Sequence, residues 1–235
     1  MSATLYLIPS LLSENGVESI PPSIKNTVEK CQVFYVENER TARRFLKKIW
    51  KEMNIDSYEW VLANKETIAT HELIKQFQQH IKEGKQIGVL SEAGCPGIAD
   101  PGQVLVEKAH QWGAKVVPLV GPSSILLALM ASGLNGQQFT FHGYLPIDPK
   151  EREKAIRDLE MQSAKSTGTQ LFIETPYRNN ALFDTLVKTL RPTTKLCVAA
   201  NITDTNEFIQ THTVKDWAQK RPELHKQPAL FLFQA

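Results

Sequence analysis

Leu90-Ser91-Glu92-Ala93-Gly94-Cys95-Pro96-Gly97-Ile98-Ala99-Asp100-Pro101-Gly102 is the stretch on which the reading of this chain turns. It follows Gln86-Ile87-Gly88-Val89, an apolar, β-branched run that reads as a buried strand. It precedes an amphipathic segment, 103–112, that reads as a helix. Asp100-Pro101-Gly102-Gln103 spells a helix start, with Asp100 as N-cap, Pro101 at N1 and Gln103 at N3. Gly94 and Gly97 bracket Pro96, so the backbone turns sharply with no side chain to block a ligand. A plain turn would account for the glycines and prolines, but strand-to-helix turns need only about two to six residues. The surplus length points to a site, at the strand end where open α/β sheets hold ligands.

A second junction repeats the first. Lys115 to Val120 reads as an apolar strand, and Gly121-Pro122-Ser123-Ser124 opens a helix from Ile125 to Ser132 that Gly133 closes. Two such loops at one sheet edge can hold one ligand between them. Around them, Thr4 to Ile8 and Val33 to Val36 read as strands, and Tyr58 to Leu62 as strand or loop. Ser23 to Lys30, Arg40 to Met53 and Thr67 to Lys82 read as helices. Phe139 to Leu145 reads as extended. Pro146-Ile147-Asp148-Pro149 is a rigid connector, and the domain boundary is expected there, between 1–145 and 150–235.

Beyond it, helices are expected at Lys150 to Met161, Arg178 to Leu190 and Val214 to Lys220. Strands are expected at Thr169 to Glu174, Lys195 to Ala200, Glu207 to Thr211 and Ala229 to Phe233. The fold class is therefore α/β and two-lobed: a mostly parallel N-terminal sheet domain and a C-terminal α+β domain with a mixed sheet.

The 235 residues are 42% hydrophobic and 22% charged with a formal net charge of +2, the balance of an ordinary globular chain. A charge so near zero excludes a strongly basic nucleic-acid-coating protein but permits a local basic face. That face is legible on Arg40 to Met53. Phe45, Leu46, Ile49 and Met53 mark its inner side, while Arg40, Arg44, Lys47, Lys48 and Lys51, with Arg43 beside them, make a cationic stripe suited to a phosphate backbone as much as to solvent. No apolar run approaches the roughly 20 residues of a membrane span, and no secretory signal is expected at the start. Cys31, Cys95 and Cys197 are odd in number and far apart, which favours a reducing cytoplasm over a disulfide framework. The six histidines show no metal-ligand spacing, so no metal is expected.

The loop Ser-Glu-Ala-Gly-Cys-Pro-Gly-Ile-Ala-Asp-Pro-Gly resembles the signature of the tetrapyrrole methylase-type S-adenosylmethionine methyltransferases, in particular the branch that 2′-O-methylates a cytidine of small-subunit ribosomal RNA. The resemblance extends through Leu5-Tyr6-Leu7-Ile8, Glu37 and Arg40 in Glu-Asn-Glu-Arg, Gly121-Pro122-Ser123-Ser124, Phe141-His142-Gly143-Tyr144-Leu145-Pro146 and Glu174-Thr175-Pro176-Tyr177-Arg178. It implies S-adenosylmethionine as cofactor in a cleft between the two domains. The contacts it implies come from Leu12, Gly94, Cys95, Ile98, Ser123 and Ser124 in the first half, and from Ile173, Glu174, Ala200, Pro228 and Ala229 in the second. It also implies a homodimer, with RNA as partner. Such a grip accounts for the lack of a Gly-x-Gly-x-x-Gly motif after any strand.

Two runs depart from the family pattern. Where the family carries a Thr-Pro-Ile-Gly-Asn type of loop after the first strand, this chain reads Pro9-Ser10-Leu11-Leu12-Ser13-Glu14-Asn15-Gly16. Where the ribosomal branch has Arg-Glu-Leu-Thr-Lys, it reads Ala200-Asn201-Ile202-Thr203-Asp204, keeping Thr203 and the later Glu207. A hydroxyl acceptor needs a base within hydrogen-bond reach, and the catalytic candidates are Glu37, Arg40, Tyr177 and Arg178. Glu174 with Arg178 also fits a buried ion pair, and Cys95 fits packing or cofactor contact better than a nucleophile. Two other functions remain open to the same sequence: methylation of a small molecule such as a tetrapyrrole, and a non-catalytic cofactor-binding module.

Overall fold

The computed structural model describes residues 2–235, which fold as two compact units, the second beginning at Ser124. In the first, strands β1 (Thr4–Ile8), β2 (Val33–Val36), β3 (Glu59–Leu62), β4 (Gln86–Leu90) and β5 (Lys115–Pro118) alternate with helices α1 (Ile24–Val28), α2 (Glu39–Ile49), α3 (His71–Lys82) and α4 (Gln103–Gln111). The sheet order is β3-β2-β4-β1-β5, and every pairing is parallel.

Both faces of this sheet are covered, which is why its inner strands read as continuous apolar runs. Val33, Tyr35, Ile87 and Val89 point into one core with Leu73 and Phe77 of α3 and Leu105 of α4. Phe34, Val36 and Leu90 point into the other, with Ile24 and Val28 of α1 and Ala42, Phe45 and Leu46 of α2.

The second unit holds α5 (Ser124–Ser132), β6 (Phe139–Tyr144), α6 (Pro149–Ser166), β7 (Thr169–Ile173), α7 (Asn179–Thr189), β8 (Lys195–Ala200), β9 (Phe208–Thr213), α8 (Val214–Trp217) and β10 (Ala229–Gln234). Its sheet runs β6-β7-β10-β8-β9; β6 and β7 are parallel and the other pairs antiparallel, so the sheet is mixed as expected. Phe172, Val198, Phe231 and Phe233 of this sheet share a core with Ile156 of α6, Leu182 and Phe183 of α7 and Trp217 of α8.

The boundary expected at Pro146 to Pro149 lies too late. Phe139 and Phe141 are registered against Thr169 and Leu171, so β6 is an edge of the second sheet. Helix α5 belongs there too: the Thr211 hydroxyl of β9 donates to the Ser132 carbonyl at 2.7 Å. The Pro-rich connector is instead a helix start, where Asp148 caps α6 by accepting from the amides of Lys150 and Glu151 with Pro149 in the first turn.

Other ends move for similar local reasons. Asn38 accepts from Thr41 N and starts α2 at Glu39, and Thr70 accepts from Leu73 N and starts α3 at His71, a turn after Thr67. Helix α2 ends at Ile49, so Met53 is buried from the following turn. The strand expected to Val120 stops at Pro118, and Val120 is 81% exposed.

At the amino-terminal ends of the strands, a polar chain runs into the first core. Tyr35 Oη lies 3.0 Å from His80 Nδ1, His80 Nε2 lies 3.1 Å from Glu59, and Lys85 Nζ lies 3.0 Å from the other Glu59 oxygen. A neutral imidazole satisfies both contacts, accepting from Tyr35 and donating to Glu59. Burial lowers the His80 pKa against the raising pull of Glu59 and Glu83, and Lys85 lowers it further. The unfolded chain therefore binds a proton first as pH falls. The contribution of this network is complete above the ordinary value of 6.5 and is lost as pH drops through the folded value. The wild type should lose melting temperature as pH is lowered from about 7 to about 5, and His80→Gln should lose clearly less over the same interval. Equal losses in thermal unfolding would exclude His80 as the source.

Candidate functional site

Three loops leave the carboxyl ends of β4, β1 and β5, adjacent strands of a parallel sheet, and they are fastened to one another. Ser10 after β1 and Gly94 after β4 exchange both backbone hydrogen bonds, at 2.8 and 3.2 Å. The buried Ser10 hydroxyl donates to the Ser91 carbonyl at 2.8 Å. Gly121 after β5 lies so close to Pro9 that a Cβ on it would sit 2.1 Å from the proline ring. Cys95 Sγ is 3.4 Å from the Pro122 carbonyl, and a Cβ on Gly94 would meet Leu12 at 3.4 Å. The structure thus gathers Leu12, Gly94 and Cys95 beside the Gly121-Pro122 turn that leads to Ser123. Ile98, 55% exposed, stands on the same loop. Ser124 opens α5 in the second unit.

Asp100 does not cap a helix as expected, because Pro101 and Gly102 form a turn and α4 starts at Gln103 without a side-chain cap. Its Oδ1 instead accepts from Gly97 N at 2.9 Å and Gly102 N at 2.6 Å, drawing both ends of the loop together. Gly97 and Ala99 adopt left-handed backbone at φ 82° and 58°, the conformation that glycine takes without steric cost. Asp100 Oδ2 is buried with no hydrogen-bond partner. Burial raises the Asp100 pKa, and the nearby Glu37 charge adds to the rise, although the two backbone donors and the Ser91 side chain oppose it.

The Cys95 thiol is pushed up by burial and by the Asp100 charge, the reverse of an activated nucleophile. Glu37, a catalytic candidate by sequence, acts as a loop anchor whose Oε2 accepts from Glu92 N at 2.8 Å.

Against these loops lies a cavity of about 580 Å³ within the first unit. Leu11, Leu12, Ala42 and Phe45 give it apolar walls, Ser10 and Ser91 are polar, and Arg44, Lys47 and Lys48 stand at its side. Thr41 is not singled out by sequence reasoning; two turns of α2 place it on one face with Arg44, Phe45 and Lys48.

The cationic stripe is less uniform than its sequence implies. Arg43 does not belong to the open face: it pairs with Glu39 at 2.7 Å and lies 5.1 Å over the Trp60 ring. Arg44 reaches Glu14 at 3.4 Å, and Lys47 donates to the Lys51 carbonyl at 2.9 Å. Arg40 is exposed on the first turn of α2.

In the second unit, Ala200 is registered against Ala229 and Ile173 against Leu230, and Asn201 N donates to the Pro228 carbonyl at 3.0 Å. Ile173, Glu174, Ala200, Pro228 and Ala229 are therefore neighbours at one end of this sheet. Arg178 donates to Glu174 Oε1 from Nε at 3.0 Å and from Nη2 at 2.6 Å, and Thr175 N donates to the same atom at 2.7 Å. The Glu174 side chain is fully buried, so Arg178 serves as its ion-pair partner. Tyr177 is 71% exposed and stands edge-on to His225 at 6.0 Å. A set of amides missed by sequence reasoning links these loops: Gln227 accepts at its carbonyl from Asn179 and at Oε1 from Asn201. No spacing motif marks them; the only signal is polar residues flanking apolar strands.

The family model for Tetrapyrrole (Corrin/Porphyrin) Methylases matches residues 16–218. A ribosomal RNA small subunit methyltransferase I from Vibrio cholerae is 30% identical over 211 residues, covering 88% of this chain and 67% of that one. Its counterpart from Halalkalibacterium halodurans is 28% identical over 220 residues, covering 92% and 71%. Among solved structures, the methyltransferase CobJ superposes with a TM-score of 0.64 at 14% identity, over 100% of this chain and 95% of that one. The uroporphyrin-III-C-methyltransferase from Thermus thermophilus does so with 0.57 at 18%, over 100% and 93%. These two likenesses concern the fold.

Arg178→Ala should destabilise the protein by about 3 kcal/mol, because it leaves the Glu174 carboxylate buried without its cation. The double substitution Glu174→Leu with Arg178→Met should recover most of that loss in denaturant unfolding. Failure to recover would assign the pair a role beyond packing.

Proposed function

Because the chain belongs to the tetrapyrrole (corrin/porphyrin) methylase family, and so to the methyltransferases, we propose that it uses S-adenosylmethionine to methylate small-subunit ribosomal RNA at a ribose 2′-hydroxyl. The observation that carries this reading is the fastened three-loop cradle, which offers bare backbone at Gly94 and Gly97 and has an unpartnered, buried Asp100 oxygen beside them. A ligand that is cationic at its sulfonium and its ammonium suits both features. Nothing lies within 4 Å of a Cβ built on Gly97, so the space there is open to a bound molecule. The likeness to ribosomal RNA methyltransferases over 88% and 92% of the chain supports RNA over a macrocycle as acceptor.

When bound, the cofactor supplies an electrophilic methyl group, and transfer is an in-line displacement governed by alignment and by exclusion of water. Gly94, Cys95, Ile98 and Ser123 would hold it in the first unit. Of the residues expected from the second unit, Ile173, Ala200, Pro228 and Ala229 stand together at one end of its own sheet. Leu12 narrows the space before Gly94. Glu37 and Asp100 keep the loop in shape, while Arg40 and Tyr177, both exposed, are available to the acceptor. Glu174 with Arg178 fixes the loop after β7.

Further features fit this reading. Leu126 and Met130 on α5 are 51% and 78% exposed, and separately Phe139 and Tyr144 on the edge strand β6 are 41% and 57% exposed, apolar side chains that a second copy of the chain in a homodimer would cover. Three cysteines, all unpaired, accord with a cytoplasmic enzyme. Among the described residues no helix is long and apolar enough to cross a membrane.

Calorimetric titration should detect binding of S-adenosylmethionine but not of NAD or ATP. Ribosomal RNA from cells lacking the protein should be short of one methylated nucleotide by mass spectrometry; an unchanged nucleotide inventory would remove the RNA reading. Charge reversal at Arg44 and Lys47 should weaken RNA binding at least tenfold while leaving cofactor affinity unchanged, and equal loss of both would make the helix structural.

A further inference from the structure

Apart from Leu12, the proposed cofactor contacts leave the cavity beside α2 unused. We propose that it takes one nucleotide of a single-stranded RNA, with the base against the apolar wall and the flanking phosphates on Arg44, Lys47 and Lys48; this rests on the RNA reading and specifies how the strand is gripped.

The size fits, since about 580 Å³ lies within the roughly 300–1,000 Å³ usual for pockets that bury a small ligand. The wall also fits. Leu11, Leu12 and Phe45 present apolar surface, and a base has an apolar face that stacks without regard to its identity. The floor is already built, because the Ser10–Gly94 bridge and the Ser10–Ser91 bond hold its two loops together with no ligand needed to order them.

Charge then selects the ligand class. Three cations line the cavity against two carboxylates, Glu14 and Glu92. Lys47 and Lys48 are held by carbonyls, those of Lys51 and Glu14, which position an ammonium without neutralising it. Arg44 has a carboxylate partner, but at 3.4 Å between exposed side chains, a contact of little strength. Lys51, exposed in the turn after α2 ends, carries positive charge on past Lys48. A row extending beyond the cavity suits a strand that continues past the seated nucleotide better than one isolated anion.

Thr41 supplies the test. It is exposed and lines the cavity; its amide donates to Asn38 Oδ1, the cap, and its hydroxyl makes only an exposed contact with the Asn38 carbonyl, so a large residue there keeps the cap and fills the pocket without entering the core. Binding of a fluorescent five-nucleotide RNA is read by anisotropy across a salt series. The wild type should show a slope of log affinity against log salt of about −2, reduced by about 0.7 in Lys48→Ala. Thr41→Trp should weaken binding at least tenfold with unchanged melting temperature and unchanged calorimetric affinity for S-adenosylmethionine. Wild-type RNA affinity in Thr41→Trp alongside a loss in Lys47→Glu would mean that RNA crosses the helix without entering the cavity, which overturns this inference and leaves the RNA methyltransferase reading standing. Methylation of small-subunit particles without measurable affinity for the short RNA would have the same meaning. Binding of a carboxylated porphyrin in place of RNA, blocked by Thr41→Trp, would overturn both.

Discussion

The paired backbone hydrogen bonds between Ser10 and Gly94 are the constraint on which the first unit depends. Parallel strands deliver their exit loops to one edge of a sheet, and β1 and β4 are neighbours, so both loops emerge side by side. Left free, each would retain its own conformational entropy. The two-way bond makes them one object, and the close approach of Gly121 to Pro9 adds the loop after β5. The glycines serve that closeness: Gly121 because no Cβ fits beside Pro9, and Gly94 because its φ of 73° is left-handed. A cradle of bare backbone results where side chains would otherwise fill the space.

Much of this is legible in the sequence, and the reason is locality. The apolar runs Val33 to Val36 and Gln86 to Leu90 are buried on both faces, and burial on both faces leaves a pattern that needs no partner to be read. Gly133 marks the end of α5 because its φ of 68° is a local demand. The features that escape the sequence are non-local. Nothing in Phe139 to Tyr144 says which sheet it joins; that depends on β7, and so the pattern puts the boundary between the units at a proline pair that in fact begins α6. A spacing rule assigns Asp100 a cap, yet its carboxylate accepts from Gly97, which precedes it, because the loop folds back before the helix starts.

The same distinction governs the charges. Along α2 the sequence shows an almost uninterrupted cationic stripe, but Glu14 and Asp56 approach it from other segments, and Trp60 draws Arg43 aside. Contacts of this kind are invisible to a helical wheel. The consequence for recognition is a narrower positive surface, with the strongest remaining density at the cavity rather than spread along the helix. Near-neutral net charge and a local cationic rim are thus compatible, and selectivity can come from where the rim lies rather than from how much charge the chain carries.

The run Ala200 to Asp204 shows how a loop with little charge of its own is held in a strained geometry. Asn201 and Thr203 both hold left-handed backbone, at φ 52° and 70°, and for a β-branched residue this is a conformation that the surroundings must enforce. The enforcing contacts are present. Thr203 N donates to Glu207 Oε2 at 2.8 Å, and Asn201 is held through its side chain by Gln227 and through its amide by Pro228. Asn tolerates the left-handed region better than most residues, and it stands at the first of the two positions. Glu207 therefore has a structural task in this chain, independent of any acceptor.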